Sequence, residues 1–310
     1  MKPLPTLRQL RYLVTVAETL HFGRAAEQCL VTQSTLSAGI QELETLLRVR
    51  VLERRTKRQV VLTPLGEDIV ARARRILADA EALVDIAAAA AEPLSGPLRL
   101  GVIPTIGPYV LPRVLPAVRD AYPDLKLFLR EDQTARLLEQ LGDGRLDVAL
   151  LALPYDVGDL ETLPLWDEDV VVAAPADHRF AALSRVPEEA LAGETVLMLE
   201  DGHCLREHSL QACSLVRRPG ANESFQATSL NTLVQMVGNG LGITLLPRSA
   251  VPVEVGRGAP VVVRDLEMAR AARTVALCWR PGTAHRRDFR LLAGLLKQHA
   301  PERAVVAADR

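Results

Sequence analysis

The stretch FGRAAEQCLVTQSTLSAGIQELE, residues 22–44, decides the fold of the N-terminal part of the chain. It contains two apolar patterns with helical spacing, and only Val31 and Thr32 or so lie between them. A third such pattern precedes it. The apolar positions of the three patterns are Leu7, Leu10, Leu13, Val14 and Ala17, then Ala25, Ala26 and Cys29, then Leu36, Ile40, Leu43 and Leu47. Because a helix-turn-helix requires a short connection, the pattern predicts three helices, the third of which can enter a DNA major groove.

A short β-prone segment follows the third predicted helix. Residues 51–62 place two apolar runs on either side of a basic tip, which is typical of a wing hairpin. The basic residues are Arg54, Arg55, Lys57 and Arg58. A basic run is ordinarily a solvated face, but this one directly follows a candidate recognition helix. We therefore expect these side chains to lie against DNA phosphates.

The charge of the chain is unevenly distributed. A net charge of −1 over 310 residues combines +5 in residues 1–66 with −6 in the remainder, which predicts a polyanionic partner for the basic part alone. No apolar run reaches the ~18 residues of a membrane span, and the N-terminus lacks the features of a signal peptide. We expect a cytoplasmic chain without a membrane partner, in a compartment where thiols are normally reduced.

A long helix is predicted to follow the wing. Thr63 and Pro64 are a typical N-cap and first helical residue. Apolar residues then recur at heptad spacing, at Ile69, Ala73, Ile76, Ala80, Leu83 and Ala87, until Pro93, Ser95, Gly96 and Pro97 mark a hinge. The spacing predicts a dimerising coiled coil, which would place two reading heads on one DNA duplex. The alternative is a helix packed on its own domain.

The remaining residues, 98–310, alternate short apolar runs with helical patterns, which indicates an α/β domain. A strand at Asp169–Ala174 is predicted to lead into a second lobe, and a strand at Thr274–Trp279 to return to the first. The predicted organisation is therefore a DNA-binding domain at 1–66, a linker helix and hinge at 67–97, and a two-lobed domain beyond. Lobe I would span about 98–168 and 273–300, and lobe II about 169–272.

A cysteine motif lies in the predicted second lobe. Residues 201–206 read Asp-Gly-His-Cys-Leu-Arg, and Cys213 follows. A cysteine reacts as its thiolate, and a neighbouring cation lowers the thiol pKa, so His203 and Arg206 are suitable neighbours for a reactive Cys204. The alternative is a buried cysteine acting as a small hydrophobe.

The other two cysteines, Cys29 and Cys278, lie in apolar periodic segments, so we assign them to the core. The spacing of the cysteines does not fit a metal site. We expect neither a metal nor a cofactor.

Five ordered motifs in the N-terminal part resemble the winged helix-turn-helix of LysR-type transcriptional regulators. They are Phe22-x-x-Ala25-Ala26, Thr32-Gln33-Ser34-Thr35-Leu36-Ser37, Ile40-x-x-Leu43-Glu44, Leu52-Glu53-Arg54 and Leu62-Thr63-x-x-Gly66. We expect Gln33, Ser34, Thr35 and Ser37 to contact the groove and the wing residues to contact phosphates. The chain departs from the family pattern at Ser34, where proline is common, at Gly39, where glutamine is common, and at Gln41, where a basic residue is common.

The C-terminal part resembles the two-lobed effector domain of the same family, which is similar to periplasmic binding proteins, and most closely that of its hydrogen-peroxide-sensing members. The matching segments begin at Ile103, Glu131, Leu199, Ala227 and Gly242. The resemblance implies that Cys204 is the peroxidatic cysteine and Cys213 the resolving one. It implies that Thr105, Thr134 and His203 hold peroxide, and that Arg206 and Arg273 tune the site. For the two threonines the alternative role is helix capping.

The resemblance further implies a redox-sensing DNA-binding regulator, not an enzyme, that controls antioxidant genes as a dimer or tetramer, with RNA polymerase as a partner. Two other functions remain open: a regulator that binds a small organic effector between its lobes, and a thiol peroxidase.

The spacing of Cys204 and Cys213 has a geometric consequence. Two residues nine positions apart on a helix have Cα atoms roughly 13 Å apart, whereas a disulfide requires less than about 7 Å. If Leu205–Ala212 is helical in the reduced protein, that helix must unwind when the disulfide forms.

Overall fold

The computed structural model describes residues 3–54, 60–89, 93–203, 205, 226–256, 259–267, 272–301 and 305–306. The chain divides into two compact units, the first formed by residues 1–91 with 142–145 and the second by residues 92–141 with 146–310. Several predicted site residues lie outside the described residues, namely Arg55, Lys57, Arg58, Cys204, Arg206 and Cys213. Of Arg54 only the backbone is described.

The first unit begins with three helices, α1 (Leu7–Thr19), α2 (Phe22–Gln28) and α3 (Gln33–Leu47). Helix α1 starts at a capping box, in which the Thr6 hydroxyl accepts from the Gln9 amide and the Gln9 side chain accepts from the Thr6 amide. A wing follows, made of the antiparallel strands β1 (Leu52–Arg54) and β2 (Val60–Leu62). The three-helix pattern and the hairpin are therefore as the sequence predicts.

Helix α4 (Pro64–Ala89) follows the wing, and the Thr63 hydroxyl caps it by accepting from the Gly66 amide at 2.9 Å. Its apolar residues divide between two faces. Val70, Ala73 and Leu77 are buried in the core that α1, α2 and α3 form with the wing, which we call the head. Ile76, Leu83 and Val84 are exposed. One face of α4 therefore packs on its own domain, and the coiled-coil dimer stays a prediction for the exposed face.

The second unit contains a continuous set of strands. Across the sheet they follow one another in the order Leu125–Glu131, Gly96–Val102, Val148–Leu153, Ala272–Trp279, Glu161–Pro175, Ile243–Pro247, Val196–Leu199 and Gln226–Ala227. The strands are β3 (Gly96–Val102), β4 (Leu125–Glu131), β5 (Val148–Leu153), β6 (Glu161–Pro175), β7 (Arg185–Pro187), β8 (Val196–Leu199), β9 (Gln226–Ala227), β10 (Ile243–Pro247), β11 (Val261–Glu267), β12 (Ala272–Trp279) and β13 (Val305–Val306). The helices are α5 (Gly107–Ala121), α6 (Thr134–Gly142), α7 (Leu230–Gly238), α8 (Val251–Glu254) and α9 (Arg286–Gln298). Short 3-10 turns lie at Arg179–Ala182, Glu188–Leu191 and Arg248–Ala250.

Two separate apolar cores define two lobes in this unit. The core of lobe I surrounds Trp166 and Phe289, and the core of lobe II surrounds Phe180 and Leu246. Strand β6 contributes to both, because its first part pairs with β12 and its last part with β10 and β11. The predicted strand at 169–174 is therefore only the lobe II end of a longer strand. Its first part, Glu-Thr-Leu-Pro-Leu-Trp-Asp-Glu-Asp at residues 161–169, has polar residues and a proline among its few apolar ones and so lacks a continuous apolar run.

Two further predictions concern the thiols and membrane association. Cys278 is fully buried in the core of lobe I, as predicted. Cys29 is only partly buried and packs against the head core from the C-terminal end of α2.

In the described part of the chain, none of the helices is both long and apolar enough to span a bilayer.

The departure at Gly39 has a steric cause. A Cβ atom at this position of α3 would lie 2.8 Å from Cδ2 of Tyr12, a buried residue of α1. A side chain at position 39 therefore requires the Tyr12 ring to move. The glycine is the residue that fits the packing of α3 against α1 in this chain.

We predict that Gly39→Ala destabilises the head by about 1 kcal/mol, because crowding of the Tyr12 ring outweighs the higher helix propensity of alanine. The matched control is Gly294→Ala in α9, where a Cβ would meet no atom within 4 Å; this change should stabilise its unit by roughly 0.5–1 kcal/mol. Hydrogen exchange of the backbone amides, measured by mass spectrometry, reports the stability of each unit separately. Equal stabilisation by both changes would show that Tyr12 imposes no constraint.

Candidate functional site

Arg273 is the buried polar centre of the second unit. Its side chain is 1% exposed, and Nε and Nη2 contact Glu168 Oε2 at 2.9 and 2.8 Å. Nη1 donates to the Thr105 hydroxyl, and Nη2 donates to the Thr105 carbonyl, each at 2.8 Å. The other oxygen of Glu168 accepts from the Ser249 amide at 3.0 Å. One guanidinium thus connects the loop after β3 with strands β6 and β12.

The position of this pair follows from strand register. Arg273 and Glu168 are cross-strand neighbours in the antiparallel pairing of β12 with β6. They lie where β6 leaves its pairing with β12 and begins its pairing with β10 at Val170. The ion pair therefore stands at the junction between the two lobes.

Thr105 and Thr134 are both almost fully buried, at 2% and 1% exposure. The Thr105 hydroxyl accepts from Arg273 and so keeps its own hydrogen for another acceptor. Helix α5 has Ile106 as its N-cap and no side-chain cap. Thr134 is the first residue of α6, and its hydroxyl has no hydrogen-bond partner in the described structure. Helix capping therefore explains neither threonine, and both hydroxyls remain available to a small polar molecule.

His203 is 7% exposed, and its Nε2 lies 3.9 Å from Glu200 Oε1. Burial lowers the pKa of His203 below its ordinary value, and the nearby Glu200 carboxylate offsets part of that effect. The neutral imidazole is therefore the favoured form at neutral pH. This direction is opposite to that of the cationic neighbour predicted for Cys204 from the sequence.

Three residues of this region, Tyr109, Glu131 and Glu168, were not among the predicted site residues. Tyr109 donates to Glu254 Oε1 at 2.7 Å, and burial is the main cause that raises its pKa. Burial also raises the pKa of Glu131, whose Oε2 lies 3.0 Å from the position of a Cβ on Gly107. Glu168 precedes an apolar strand segment, but this local pattern does not identify it as a site residue, because its partner Arg273 is distant in sequence.

The predicted DNA-contacting residues lie on the first turns of α3. Gln33, Ser34 and Thr35 are exposed, and Ser37 is partly buried. The hydroxyls of Ser34 and Thr35 lie 2.9 and 2.8 Å from the hydroxyl of Thr32, the N-cap of α3. Part of their hydrogen-bonding capacity is thus used within the helix start.

Both units match known families. Residues 7–67 match the model described as bacterial regulatory helix-turn-helix protein, lysR family. Residues 91–301 match the model described as LysR substrate binding domain. The chain belongs to the LysR family of regulators. This membership confirms the winged helix-turn-helix and the two-lobed domain predicted from the sequence.

Individual relatives are similar along nearly the whole chain. A Streptomyces viridosporus protein named probable hydrogen peroxide-inducible genes activator is 44% identical over 294 residues, which are 95% of this chain and 94% of the relative. The Acinetobacter baylyi regulator EstR is 42% identical over 299 residues, 96% of this chain and 98% of that protein. A solved structure of a full-length OxyR variant from Pseudomonas aeruginosa is 39% identical, with a TM-score of 0.79 and coverage of 95% of this chain and 98% of that one.

In this LysR-family chain the described residues predicted for the peroxide site fall into two groups. Thr105 and Arg273 are in direct contact. Thr134 and His203 are buried, and their preceding neighbours approach each other, because Gln133 hydrogen-bonds the turn that contains Gly202. Among the described residues, no group of three or more His, Cys, Asp or Glu side chains is arranged to hold a metal ion.

We predict that Arg273→Met lowers the free energy of unfolding by about 3–5 kcal/mol, because it leaves the Glu168 carboxylate buried without a cation. The free energy of unfolding of the double variant Arg273→Met/Glu168→Gln should fall less than that of Arg273→Met, since the buried side chains of the double variant are uncharged. Urea unfolding followed by circular dichroism measures both. A double variant that is less stable than the single one would contradict the assignment of the cost to an uncompensated charge.

The lowered pKa of His203 predicts a pH effect. Above pH 6.5, the ordinary histidine value, the imidazole is neutral in both states and contributes nothing. As pH falls below that value, the unfolded chain takes up a proton that the folded site resists, so the free energy of unfolding falls. His203→Gln should therefore lose less stability than the parent between about pH 7.5 and about pH 5.5 in urea titrations. Identical losses would show that His203 is not held neutral by the fold.

Proposed function

We propose that this chain is a redox-sensing transcriptional regulator that responds to hydrogen peroxide by forming a reversible disulfide between Cys204 and Cys213 and thereby controls antioxidant genes. The observation that carries the proposal is the buried set of Thr105, Arg273, Thr134 and His203, the last of which directly precedes Cys204 in the sequence. Near-complete burial of these four side chains favours a ligand of few atoms over a larger organic effector. Similarity to a named hydrogen peroxide-inducible genes activator supports the same conclusion.

The proposed chemistry has two steps. The Cys204 thiolate attacks one oxygen of hydrogen peroxide, the O–O bond breaks, and the products are a sulfenic acid and hydroxide, which takes up a proton. The Cys213 thiol then attacks the sulfenic sulfur, a disulfide forms and water leaves. Overall, two thiols are oxidised by two electrons and the peroxide is reduced to water.

Each described site residue has a role in the first step. Arg273 supplies a fixed positive charge that favours the thiolate and the developing oxyanion. The Thr105 hydroxyl, already accepting from Arg273, donates its hydrogen to a peroxide oxygen, and the Thr134 hydroxyl offers a second contact. Neutral His203 can accept or donate one hydrogen bond. Arg206 is proposed to tune the site further.

The output of this chemistry is proposed to be altered DNA binding. Gln33, Ser34, Thr35 and Ser37 would contact the major groove, and Arg54, Arg55, Lys57 and Arg58 the phosphates. The exposed apolar residues Leu83 and Val84 of α4 support packing against a second copy of the chain. We propose a dimer or tetramer acting in the cytoplasm, with RNA polymerase as a further partner.

We predict that Cys204→Ser abolishes oxidation by about one equivalent of peroxide, and that Cys213→Ser stops at sulfenic acid on Cys204. Peptide mass mapping measures the oxidation state of each cysteine in both variants, and a DNA footprint is recorded from each sample. The control is Cys278→Ala, which should react like the parent, because burial raises the pKa of Cys278 to about 12 and keeps its thiol protonated.

The same experiment separates the alternative functions. A footprint that still responds to peroxide in the Cys204→Ser variant would contradict peroxide sensing by this thiol. A parent chain whose thiols do not react, but whose footprint changes with an added organic acid, would point to an effector-binding regulator. Sustained consumption of peroxide with excess reductant would indicate a peroxidase instead.

A further inference from the structure

The turn at residues 200–202 carries the start of the cysteine motif away from the sheet of lobe II. Strand β8 ends at Leu199, and the Glu200 amide donates to the Ala227 carbonyl of β9 at 3.0 Å. Gly202 adopts a positive φ of 96°. His203 follows and is buried, and Leu205 packs into the core of lobe II. The backbone on both sides of Cys204 is therefore anchored in lobe II.

One side chain of lobe I contacts this turn. Gln133 lies between β4 and α6, and its Nε2 donates to Glu200 Oε1 at 3.3 Å and to the Asp201 carbonyl at 3.4 Å. Its Oε1 lies 2.5 Å from the position that a Cβ on Gly202 would take. The amide therefore rests directly on the turn, and the glycine makes this close approach possible.

The contact has a chemical consequence because the proposed reaction draws on both lobes. Thr105 and Thr134 lie on lobe I, whereas Cys204 belongs to the segment that continues from the turn of lobe II. Attack on an O–O bond requires the sulfur to lie in line with that bond, next to the oxygen it attacks and opposite the oxygen that leaves, while the hydroxyls hold the peroxide, so small displacements are costly. Gln133 precedes Thr134 directly, and Gly202 lies two residues before Cys204.

We propose that Gln133 is a positioning residue for peroxide reduction, which holds the turn before Cys204 at a fixed distance from the threonine hydroxyls of lobe I. The inference rests on the proposed function of the same site. Gln133 acts through the turn and does not itself contact the reacting atoms. Its contribution belongs to the reduced protein, before any disulfide forms.

The test exchanges donor and acceptor across the contact. Gln133→Glu keeps the size of the side chain but places a carboxylate against Glu200 and the Asp201 carbonyl, which removes the hydrogen bonds and adds repulsion. In the double variant Gln133→Glu/Glu200→Gln, the amide introduced at position 200 can donate to the carboxylate introduced at position 133. Glu200→Gln alone preserves an acceptor for Gln133. The charge-matched control is Gln235→Glu, an exposed position on α7.

We expect Gln133→Glu to lower the second-order rate constant of Cys204 oxidation about tenfold, the usual order for a lost hydrogen bond with added repulsion. Rapid quench followed by mass spectrometry of the full-length reduced protein measures the rate. The double variant should recover most of the loss, and the two remaining single variants should stay within about twofold of the parent. The pH at which the rate reaches half its maximum should be the same in the double variant and the parent, because the exchanged pair carries the same net charge. In Gln133→Glu the loss should persist on the high-pH plateau, where the thiolate is fully formed and a change in thiol pKa has no effect on the rate.

The outcomes are distinguishable. If the parent chain does not react with peroxide, the proposed function fails before Gln133 is tested. If the parent reacts and Gln133→Glu reacts equally fast, the positioning role is wrong. A third outcome is that Gln133→Glu reacts slowly, the double variant does not recover the rate, and the melting temperatures of both variants fall by the same amount. This outcome would assign Gln133 a general structural role instead.

Discussion

The ion pair between Arg273 and Glu168 is the interaction on which the second unit depends. Both side chains are almost fully buried, and burial of an ion pair costs several kcal/mol per ion unless hydrogen bonds replace the lost water. Here the replacement is extensive, since the guanidinium also contacts Thr105 twice and the carboxylate accepts from the Ser249 amide. The pair is stable because two further segments of the chain, at Thr105 and Ser249, supply its partners.

The location of this pair connects the fold to the site. Arg273 and Glu168 lie at the point of β6 where lobe I pairing gives way to lobe II pairing. The Thr105 hydroxyl is held by the guanidinium of Arg273, whose partner Glu168 accepts from the Ser249 amide of lobe II. A change in the relative position of the lobes would therefore alter the hydrogen bonding of Thr105. Conversely, the threonine keeps its orientation only while the lobe junction is intact.

The sequence predicts the parts of this structure that rest on local patterns. Helices α1 to α3 follow from apolar spacing and caps such as Thr6, and the hairpin follows from two short apolar runs. Glu168 could not be predicted as part of the site, because its role depends on pairing with a residue more than one hundred positions away. Likewise, one heptad pattern in α4 cannot show that Val70 and Leu77 are buried on one face while Leu83 is exposed.

The candidate site illustrates a second limit of sequence reasoning. Thr105 and Arg273 were identified by family resemblance, and the structure supplies the physical reason in their mutual contact. For His203, adjacency to Cys204 suggested a cation, but the pKa of a histidine is decided by its burial, which the sequence does not display.

Three contacts between the lobes also constrain how a signal can be generated. Glu168 of lobe I accepts from the Ser249 amide of lobe II. Tyr109 of lobe I inserts into the core of lobe II and donates to Glu254, and Gln133 contacts the turn at Gly202. A mechanism in which the lobes close on a ligand has to displace the buried phenol of Tyr109 and disturb the hydrogen bond between Glu168 and the Ser249 amide. Covalent chemistry on the segment after His203 needs no such movement, because the Arg273 and Tyr109 contacts lie outside that segment. The arrangement thus favours a signal that begins with a local change in the segment after His203, while the contacts between the lobes stay in place.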